Sequence, residues 1–369
     1  MGKIRDYVHV PSRFMPHRPE PGARRDAYDA LVDGLLEYRG SVRLPRGVTM
    51  EDLDRLVDLV KLDFPELFYV GSGTVTSRRL GHCQVSLEYA PCYRLGEKDV
   101  LSTLEAMERA TDEVVRELTL TRPQVPPGAV SYDDHTLDDL TALHDWLVRR
   151  FAYADGDRPY AHEAPGPLVY GVGVCEGVAK AYKYLCDRCG LACCVVTGEA
   201  QDPGCPSDAP GPHAWNLVRV PSREVWRRRD EPPPCREAEW ANVDVTFDAS
   251  LSHAIVRHDY FGVTDAAIAA SHRRDASCPL PGGNASLRYY ESKNLVATAA
   301  TRLAQIVDFD LPRLGGAEFV MPCIWGGRPQ VDQAVEHGLA KSSELGRAGR
   351  AYAIYPNYDR MVFGVEVLS

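Results

Sequence analysis

Cys175, His213 and Asp244 follow one another along the chain, 38 and 31 residues apart, and are residue types that cooperate in thiol catalysis. Cys175 stands where the Gly-rich run GVG enters a pattern typical of an amphipathic helix. The first N–H groups of a helix have no intrahelical partner and lie at the positive end of its dipole, so they stabilise a thiolate. Gly173 and Gly177 leave room on either side for backbone or substrate. The segment therefore indicates an activated, accessible thiol.

His213 and Asp244 are predicted on two strands. His213 opens the run HAWNLVRV after a loop rich in Pro and Gly, and Asp244 lies inside WANVDVTFD. A carboxylate in a buried strand needs a partner, and an imidazole would supply one while the carboxylate sets its tautomer. Trp215 falls on the same strand face as His213 and could shield the ring from water. Taken singly, each would more often be structural: a packed thiol, an exposed loop histidine, a strand-end carboxylate bonded to backbone N–H groups. Together they predict a catalytic triad.

Three segments are predicted to position these residues. The first has helices over 24–38, 50–62 and 99–118, a strand after Pro65, a strand over 83–89, and a Pro- and Gly-rich linker over 121–131. The middle one has a helix over 137–151, a loop over 154–173, the Cys175 helix ended by Gly190, and strands over 191–199, 213–220 and 240–248. The last has a helix over 294–309, a strand over 318–325, a helix over 330–344 and two terminal strands. We predict domains at 1–127, 128–275 and 276–369.

Three blocks of the middle segment resemble those of the bacterial transglutaminase-like superfamily of papain-like cysteine peptidases and acyltransferases. The matching residues are Gly173, Cys175, Gly177 and Ala179, then His213, Ala214 and Trp215, then Asp244 and Thr246. The resemblance implies an α+β fold with a papain-like transglutaminase core, in which a Cys-bearing helix packs on an antiparallel sheet, flanked by smaller α/β domains. It is firm over about 137–265 and loose over 50–136.

The resemblance implies acyl transfer through a thioester, with Cys175 as nucleophile, His213 as base and Asp244 as orienter. The Cys175 N–H would be one oxyanion donor, and the second stays open among Trp146, Tyr160 and Tyr170. We expect Gly173, Trp215 and Gly177 to contact a protein or peptide substrate. Hydrolysis of a peptide or amide bond is the leading expectation, since water needs no further site. Transglutaminase or deamidase chemistry on glutamine, and a non-catalytic scaffold for protein interaction, are the alternatives. No cofactor is expected.

Two other residue groups offer competing interpretations. Asp248 lies four residues after Asp244 and could replace it as the orienter. The run CDRCGLACC has a C-x-x-C spacing, but adjacent residues of a strand point to opposite faces, so buried thiols are favoured over a metal site. The cysteines concerned are Cys186, Cys189, Cys193 and Cys194. A weaker hypothesis gives the basic insertion over 221–239, with Arg223, Arg227, Arg228 and Arg229, a role in holding an acidic substrate.

Bulk composition excludes several function classes. The 369 residues carry a formal net charge of -10 at pH 7, which disfavours nucleic acid and anionic membrane surfaces as partners. The first residues lack the apolar run of a secretory signal, so we expect a cytoplasmic protein whose 11 cysteines are free thiols. The oligomeric state is left open.

Overall fold

The computed structural model describes residues 2–9, 15–80, 83–120, 136–154, 157–201, 209–220, 239–276, 280–322, 326–348 and 351–368. Its helices are α1 (Ala23–Leu36), α2 (Met50–Asp63), α3 (Glu97–Leu120), α4 (Thr136–Val148), α5 (Cys175–Arg188), α6 (Val245–Leu251), α7 (Asp265–Ile268), α8 (Tyr289–Ser292), α9 (Ala300–Leu314), α10 (Arg328–Leu339) and α11 (Ser343–Ala348). Its strands are β1 (Val42–Leu44), β2 (Val70–Leu80), β3 (Cys83–Tyr93), β4 (Ala152–Tyr153), β5 (Val172–Gly173), β6 (Cys193–Ala200), β7 (Gly211–Arg219), β8 (Trp240–Val243), β9 (Phe261–Val263), β10 (His272–Arg274), β11 (Gly316–Val320), β12 (Tyr352–Asn357) and β13 (Val362–Val367).

An antiparallel sheet with the strand order β10-β6-β7-β8-β9 forms the centre of the molecule. On one face Tyr182 and Leu185 of α5 share a buried cluster with Cys193 of β6. The other face buries Trp215 and Trp240 in a separate cluster. Because both faces are covered, the strands are apolar almost throughout rather than alternating. The Cys-bearing helix therefore packs on an antiparallel sheet, which confirms the predicted α+β core.

The N-terminal segment continues the same hydrophobic core. α1 and α2 accompany an antiparallel sheet of order β1-β3-β2. α2 begins with a capping box, in which the Thr49 hydroxyl accepts from the Asp52 N–H and the Asp52 carboxylate accepts from the Thr49 N–H, each at 3.0 Å. Leu56 of α2, Leu104 of α3 and Leu143 of α4 belong to one buried cluster with α5. This segment thus supports the back of the Cys-bearing helix.

The C-terminal segment has a hydrophobic cluster of its own. An antiparallel sheet of order β11-β13-β12 packs with α9 and α10, and buries Ile306, Phe319 and Phe363. The helix predicted from residue 294 begins only at Ala300, because Val296 is extended and pairs with Val320 of β11. The predicted domain boundaries stay predictions.

Two predictions for the middle segment are wrong in detail. The strand predicted over 240–248 ends at Val243, since Asp244 caps a helix instead. The predicted loop over 154–173 contains a π-helical turn, Gly166–Tyr170, and the short strand β5.

Some predicted features cannot be compared with the structure. The linker over 121–131 and the basic insertion, apart from residue 239, lie outside the described residues. Within the described part of the chain, no helix is long and apolar enough to cross a bilayer.

Replacing Gly177 by Ala is expected to destabilise the fold by about 1–3 kcal/mol. An added Cβ would lie 2.1 Å from the Ala161 carbonyl oxygen, which is backbone and cannot move away cheaply. Gly346 of α11 is the matched control, because a Cβ there meets nothing within 4 Å and Ala is the better helix former by up to about 1 kcal/mol. Urea unfolding of both variants measures the difference, and equal midpoints would contradict this account of Gly177.

Candidate active site

Cys175 occupies the first turn of α5 and is partly exposed. Val174, the N-cap residue, has no polar side chain to occupy the first N–H groups of the helix, so these remain suited to an oxyanion. The backbone before the helix is anchored by the Val174 N–H, which donates to Ala161 O at 3.0 Å, and by the pairing of β5 with β4. The nucleophile candidate therefore stands on a rigid element with its thiol at the helix dipole's positive end.

His213 lies in β7 and connects the thiol to a carboxylate. Its Nε2 lies 2.7 Å from Asp244 Oδ2, and the Cys175 side chain is near enough to act on the pKa of the same ring. Its side chain is 8% exposed. Burial disfavours the imidazolium, but the Asp244 carboxylate, with a smaller contribution from Cys175, outweighs burial and raises the pKa of His213 to about 10. His213 is therefore protonated at neutral pH.

Asp244 is the N-cap residue of α6, and its carboxylate is fully engaged. Oδ1 accepts from the Thr246 and Phe247 N–H groups at 3.0 and 3.1 Å. Oδ2 accepts from His213 and, at 2.9 Å, from His272 Nε2. Burial acts to raise the pKa of Asp244, but the two histidines outweigh it and hold that pKa well below the usual range. The carboxylate thus serves both as a helix cap and as the partner of His213.

Asn216 fixes the distance between the helix and the sheet. Its Nδ2 donates to Ala179 O of α5 at 2.9 Å, while its backbone pairs with Val243 of β8, the residue before Asp244. One buried amide thus ties together the three elements that carry Cys175, His213 and Asp244. A buried, satisfied polar group of this kind specifies a single arrangement of its neighbours.

His272 is part of this site, and sequence reasoning missed it. It lies in β10, which pairs with β6, and its side chain is 1% exposed. With Nε2 donating to Asp244, Nδ1 accepts from the Ser271 hydroxyl at 2.8 Å. The only nearby signal is the short run SHRRD, whose three-residue strand is too brief for a detectable periodicity.

The residues predicted to bind substrate have contacts inside the protein. Gly173 faces Pro167, Gly177 faces the backbone of residues 161–163, and the Trp215 Nε1 donates to Asn242 Oδ1 at 2.9 Å. Trp215 also stacks beside His213, with ring centroids 6.1 Å apart, as a shield for the imidazole would. Substrate binding by these three residues stays a prediction.

The candidates for the second oxyanion donor also have defined surroundings. The rings of Tyr160 and Tyr170 stack at 5.2 Å, and Trp146 lies beneath the guanidinium of Arg150. Contact of any of them with a reacting oxygen stays a prediction.

The alternative orienter and the alternative metal site are placed elsewhere. Asp248 lies in α6, not in a strand, and its Oδ2 is 3.0 Å from His144 Nε2, so it partners a different histidine. Cys193 and Cys194 are both buried but belong to separate clusters on the two sides of the sheet. Cys186 and Cys189 are buried as well.

A half-open cleft of about 840 Å³ begins at His213. Its wall is mixed, with Phe151, Phe247 and Ile255 beside Arg149 and serine side chains. This volume lies within the range of protein sites for small molecules and peptide side chains. His213 lies at the edge of this space, whereas Cys175 does not line it.

Comparison with protein families gives one match. Residues 124–245 match the model of the transglutaminase-like superfamily. The match covers about a third of the chain, so the similarity concerns this segment. The transglutaminase-like segment contains Cys175, His213 and Asp244, the last at its end, whereas His272 lies beyond it.

Solved structures show weaker similarity to this chain. One is a candidate cysteine protease from Cytophaga hutchinsonii, 11% identical, covering 47% of this chain and 62% of that chain, with a TM-score of 0.25. Another is described as a TGase, 9% identical, covering 56% of this chain and 50% of that chain, with a TM-score of 0.27. The chain therefore spans less than two thirds of either structure. No curated protein matches the sequence.

Replacing His272 by Ala is expected to slow alkylation of Cys175 at pH 6 by about 3- to 10-fold. The Asp244 carboxylate then loses one of its hydrogen-bond donors. A hydrogen bond to a charged group contributes about 1.5–3 kcal/mol to stability, and only part of this loss should affect how Asp244 holds His213. His272→Gln keeps a donor and should restore most of the rate, and exposed His337 is the control for substitution elsewhere. The assignment of His272 as a positioning residue fails if His272→Ala and His337→Ala give the same pH profile as the native chain.

Proposed function

We propose that the protein hydrolyses a peptide or amide bond through a thioester formed on Cys175. The observation that carries the proposal is the imidazole of His213, bonded to the Asp244 carboxylate and near Cys175 at the start of α5. An imidazole protonated at neutral pH stabilises a thiolate beside it, and the thiolate is the nucleophilic form of cysteine. The superfamily match of the surrounding segment supports the same chemistry.

The reaction assigned to these residues is balanced in protons. The Cys175 thiolate attacks the substrate carbonyl carbon, and the developing oxyanion accepts from the Cys175 N–H at the start of α5. His213 gives its Nδ1 proton to the leaving amine, which departs as the thioester forms. Water then attacks the thioester while His213 takes one of its protons, and release of the acid regenerates the thiolate beside the imidazolium. Asp244 stays ionised throughout and holds the ring in place.

Water is preferred as acceptor because a hydrolase needs no second binding site. The cleft at His213 could also admit a primary amine, which would make the reaction a transfer to glutamine side chains. The two outcomes differ in product: a cleaved or deamidated chain with water, and a new amide bond with the amine.

A mixed peptide library tests the proposal directly. The native chain and Cys175→Ala are incubated with the library, with and without a fluorescent primary amine, and products are identified by mass spectrometry. We expect new peptide ends or deamidated glutamine with the native chain alone. Incorporation of the amine instead would replace the hydrolase by a transferase. Identical products from both proteins, with no thioester trapped on Cys175, would contradict the enzyme proposal and favour a non-catalytic role in binding other proteins.

A further inference from the structure

A second cluster of histidines and carboxylates is buried away from Cys175. His144 and Asp145 belong to α4, and His258 precedes β9. The histidine side chains are 0% and 4% exposed, while that of Asp145 is 24% exposed and reaches solvent. None of the three contributes to the chemistry assigned to His213. Buried imidazoles of this number, so close together, require an explanation of their own.

Three ligand-type atoms of this cluster converge on one point. Asp145 Oδ1 lies 2.8 Å from His258 Nε2 and 3.0 Å from His144 Nδ1, and all three atoms lie within 4.8 Å of one another. An ion placed about 2.1 Å from each atom would have ligand–metal–ligand angles of about 90° for the separations of 2.8 and 3.0 Å. Two imidazoles and one carboxylate on one side of an ion, with further positions open, form a known coordination set for divalent transition metals.

The opposite nitrogen of each histidine is held by another carboxylate. His144 Nε2 lies 3.0 Å from Asp248 Oδ2, and His258 Nδ1 lies 2.6 Å from Glu318 Oε1. Metal-binding histidines donate their second N–H to a carboxylate in this way, which fixes the tautomer and raises the ligand's basicity. Both rings of the cluster therefore present the correct nitrogen to the shared point.

The outer carboxylates are themselves anchored. Asp248 Oδ1 accepts from the Tyr260 N–H at 2.9 Å, and Glu318 Oε2 accepts from the Tyr290 hydroxyl at 3.2 Å. The Tyr289 ring stacks on His258 with centroids 4.1 Å apart. The ligand rings are thus oriented by packing and hydrogen bonds from several elements, as a preorganised site requires.

The charge of the cluster suits a divalent ion. Three carboxylates, those of Asp145, Asp248 and Glu318, lie against the two imidazole rings, so negative charge is in place to offset a divalent cation. The imidazole donors select zinc, iron, cobalt, nickel or copper over magnesium and calcium, which prefer oxygen ligands.

We propose that His144, Asp145 and His258 bind one divalent transition-metal ion, at angles of about 90° that suit a six-coordinate ion with further positions open. Its role would be structural: it joins α4 to α6 through Asp248 and to β11 of the C-terminal segment through Glu318. Asp248 lies four residues after Asp244 on α6. The ion would thus hold the short helix whose cap orients His213, although the site does not depend on the reaction proposed for Cys175.

Cobalt is the probe for the test, because its spectrum reports the ligand type. The full chain is dialysed against a chelator and titrated with Co²⁺. We expect one bound equivalent with d–d absorption and no thiolate-to-cobalt charge transfer, displaced by Zn²⁺, which should also raise the unfolding temperature by several degrees. The proposal is overturned if the native chain binds no Co²⁺, or if bound Co²⁺ always shows thiolate-to-cobalt charge transfer. The cluster would then be only a network of hydrogen bonds and ion pairs.

Substitutions locate the ion. His258→Gln and Asp145→Asn should weaken binding by at least about 10- to 100-fold, whereas His337→Gln, at an exposed histidine of α10, and His272→Gln should retain it. Unchanged binding in both cluster variants overturns the site. If neither variant folds, X-ray absorption at the zinc edge of the native chain decides: two imidazoles with oxygen donors support the site, and sulfur or a single imidazole contradicts it.

Discussion

Cys175 is expected to react with iodoacetamide about 100- to 1,000-fold faster at pH 5.5 than an ordinary thiol. A free thiol has a pKa of about 8.5, so only about one in a thousand is ionised at that pH. The positive charge of His213, whose pKa is raised to about 10, and the start of α5 both lie beside the Cys175 sulfur, so its reaction should persist at this pH. The rate of each cysteine is read by peptide mass spectrometry from pH 4 to 9.

The chain supplies its own reference thiols for this experiment. Cys92 is exposed and has no place in the site, so it reports the behaviour of an accessible thiol in the same protein. Cys186, Cys189, Cys193 and Cys194 are buried and should react slowly at every pH. In His213→Ala the acid-side reactivity of Cys175 should fall to that of Cys92. Equal rates for Cys175 and Cys92 in the native chain at pH 5.5 would show that His213 does not activate Cys175. The proposal of an enzyme would then lose its main support.

Asp244→Asn is expected to reduce Cys175 alkylation at pH 6 by about 30- to 100-fold. Without the carboxylate, burial lowers the pKa of His213 and only the smaller effect of Cys175 opposes it, so the positive charge beside the sulfur is largely lost. Asn can still accept from the Thr246 and Phe247 N–H groups, so the cap of α6 should survive. Asp244→Ala, which removes the cap as well, should cost about 1 kcal/mol more in unfolding free energy.

The same substitution should change how stability depends on pH. The pKa of His213 is about 10 in the folded chain and about 6.5 when unfolded, so its contribution is complete below pH 6.5 and is lost as pH rises toward 10. Urea unfolding at pH 6, 8 and 10 should show the native chain losing a few kcal/mol relative to Asp244→Asn over this interval. Parallel pH dependences of the two proteins would show that Asp244 does not raise the pKa of His213.

The helix and strand that carry Cys175 and His213 were predictable because each has a recognisable local pattern. Cys175 opens a helix after a glycine run, and His213 opens a strand after a loop. Such signals depend on neighbours in the chain, and hydrophobic periodicity reports them directly. The helices at 24–38, 50–62 and 99–118 were predicted nearly to their ends for the same reason.

The exact setting of Asp244 was not predictable at this level. The run WANVDVTFD is apolar and β-branched, which favours a strand, yet the chain turns into α6 immediately after Val243. Asp is also a preferred N-cap residue, so the same run was compatible with a short helix beginning after Asp244. Tertiary contacts favour the helix, because the Asp244 carboxylate bonds to both His213 and His272 where β8 ends.

Sequence alone thus determined the α+β class and the Cys-bearing helix on its sheet, because local period and residue chemistry specify these; the triad of Cys175, His213 and Asp244 stays a prediction. Only the tertiary structure brought His272 to Asp244 and assembled His144, His258 and Glu318, which come from elements up to 174 residues apart. Contacts of this kind depend on how strands pair and helices pack at a distance along the chain. No pattern within a window of ten or twenty residues carries that information.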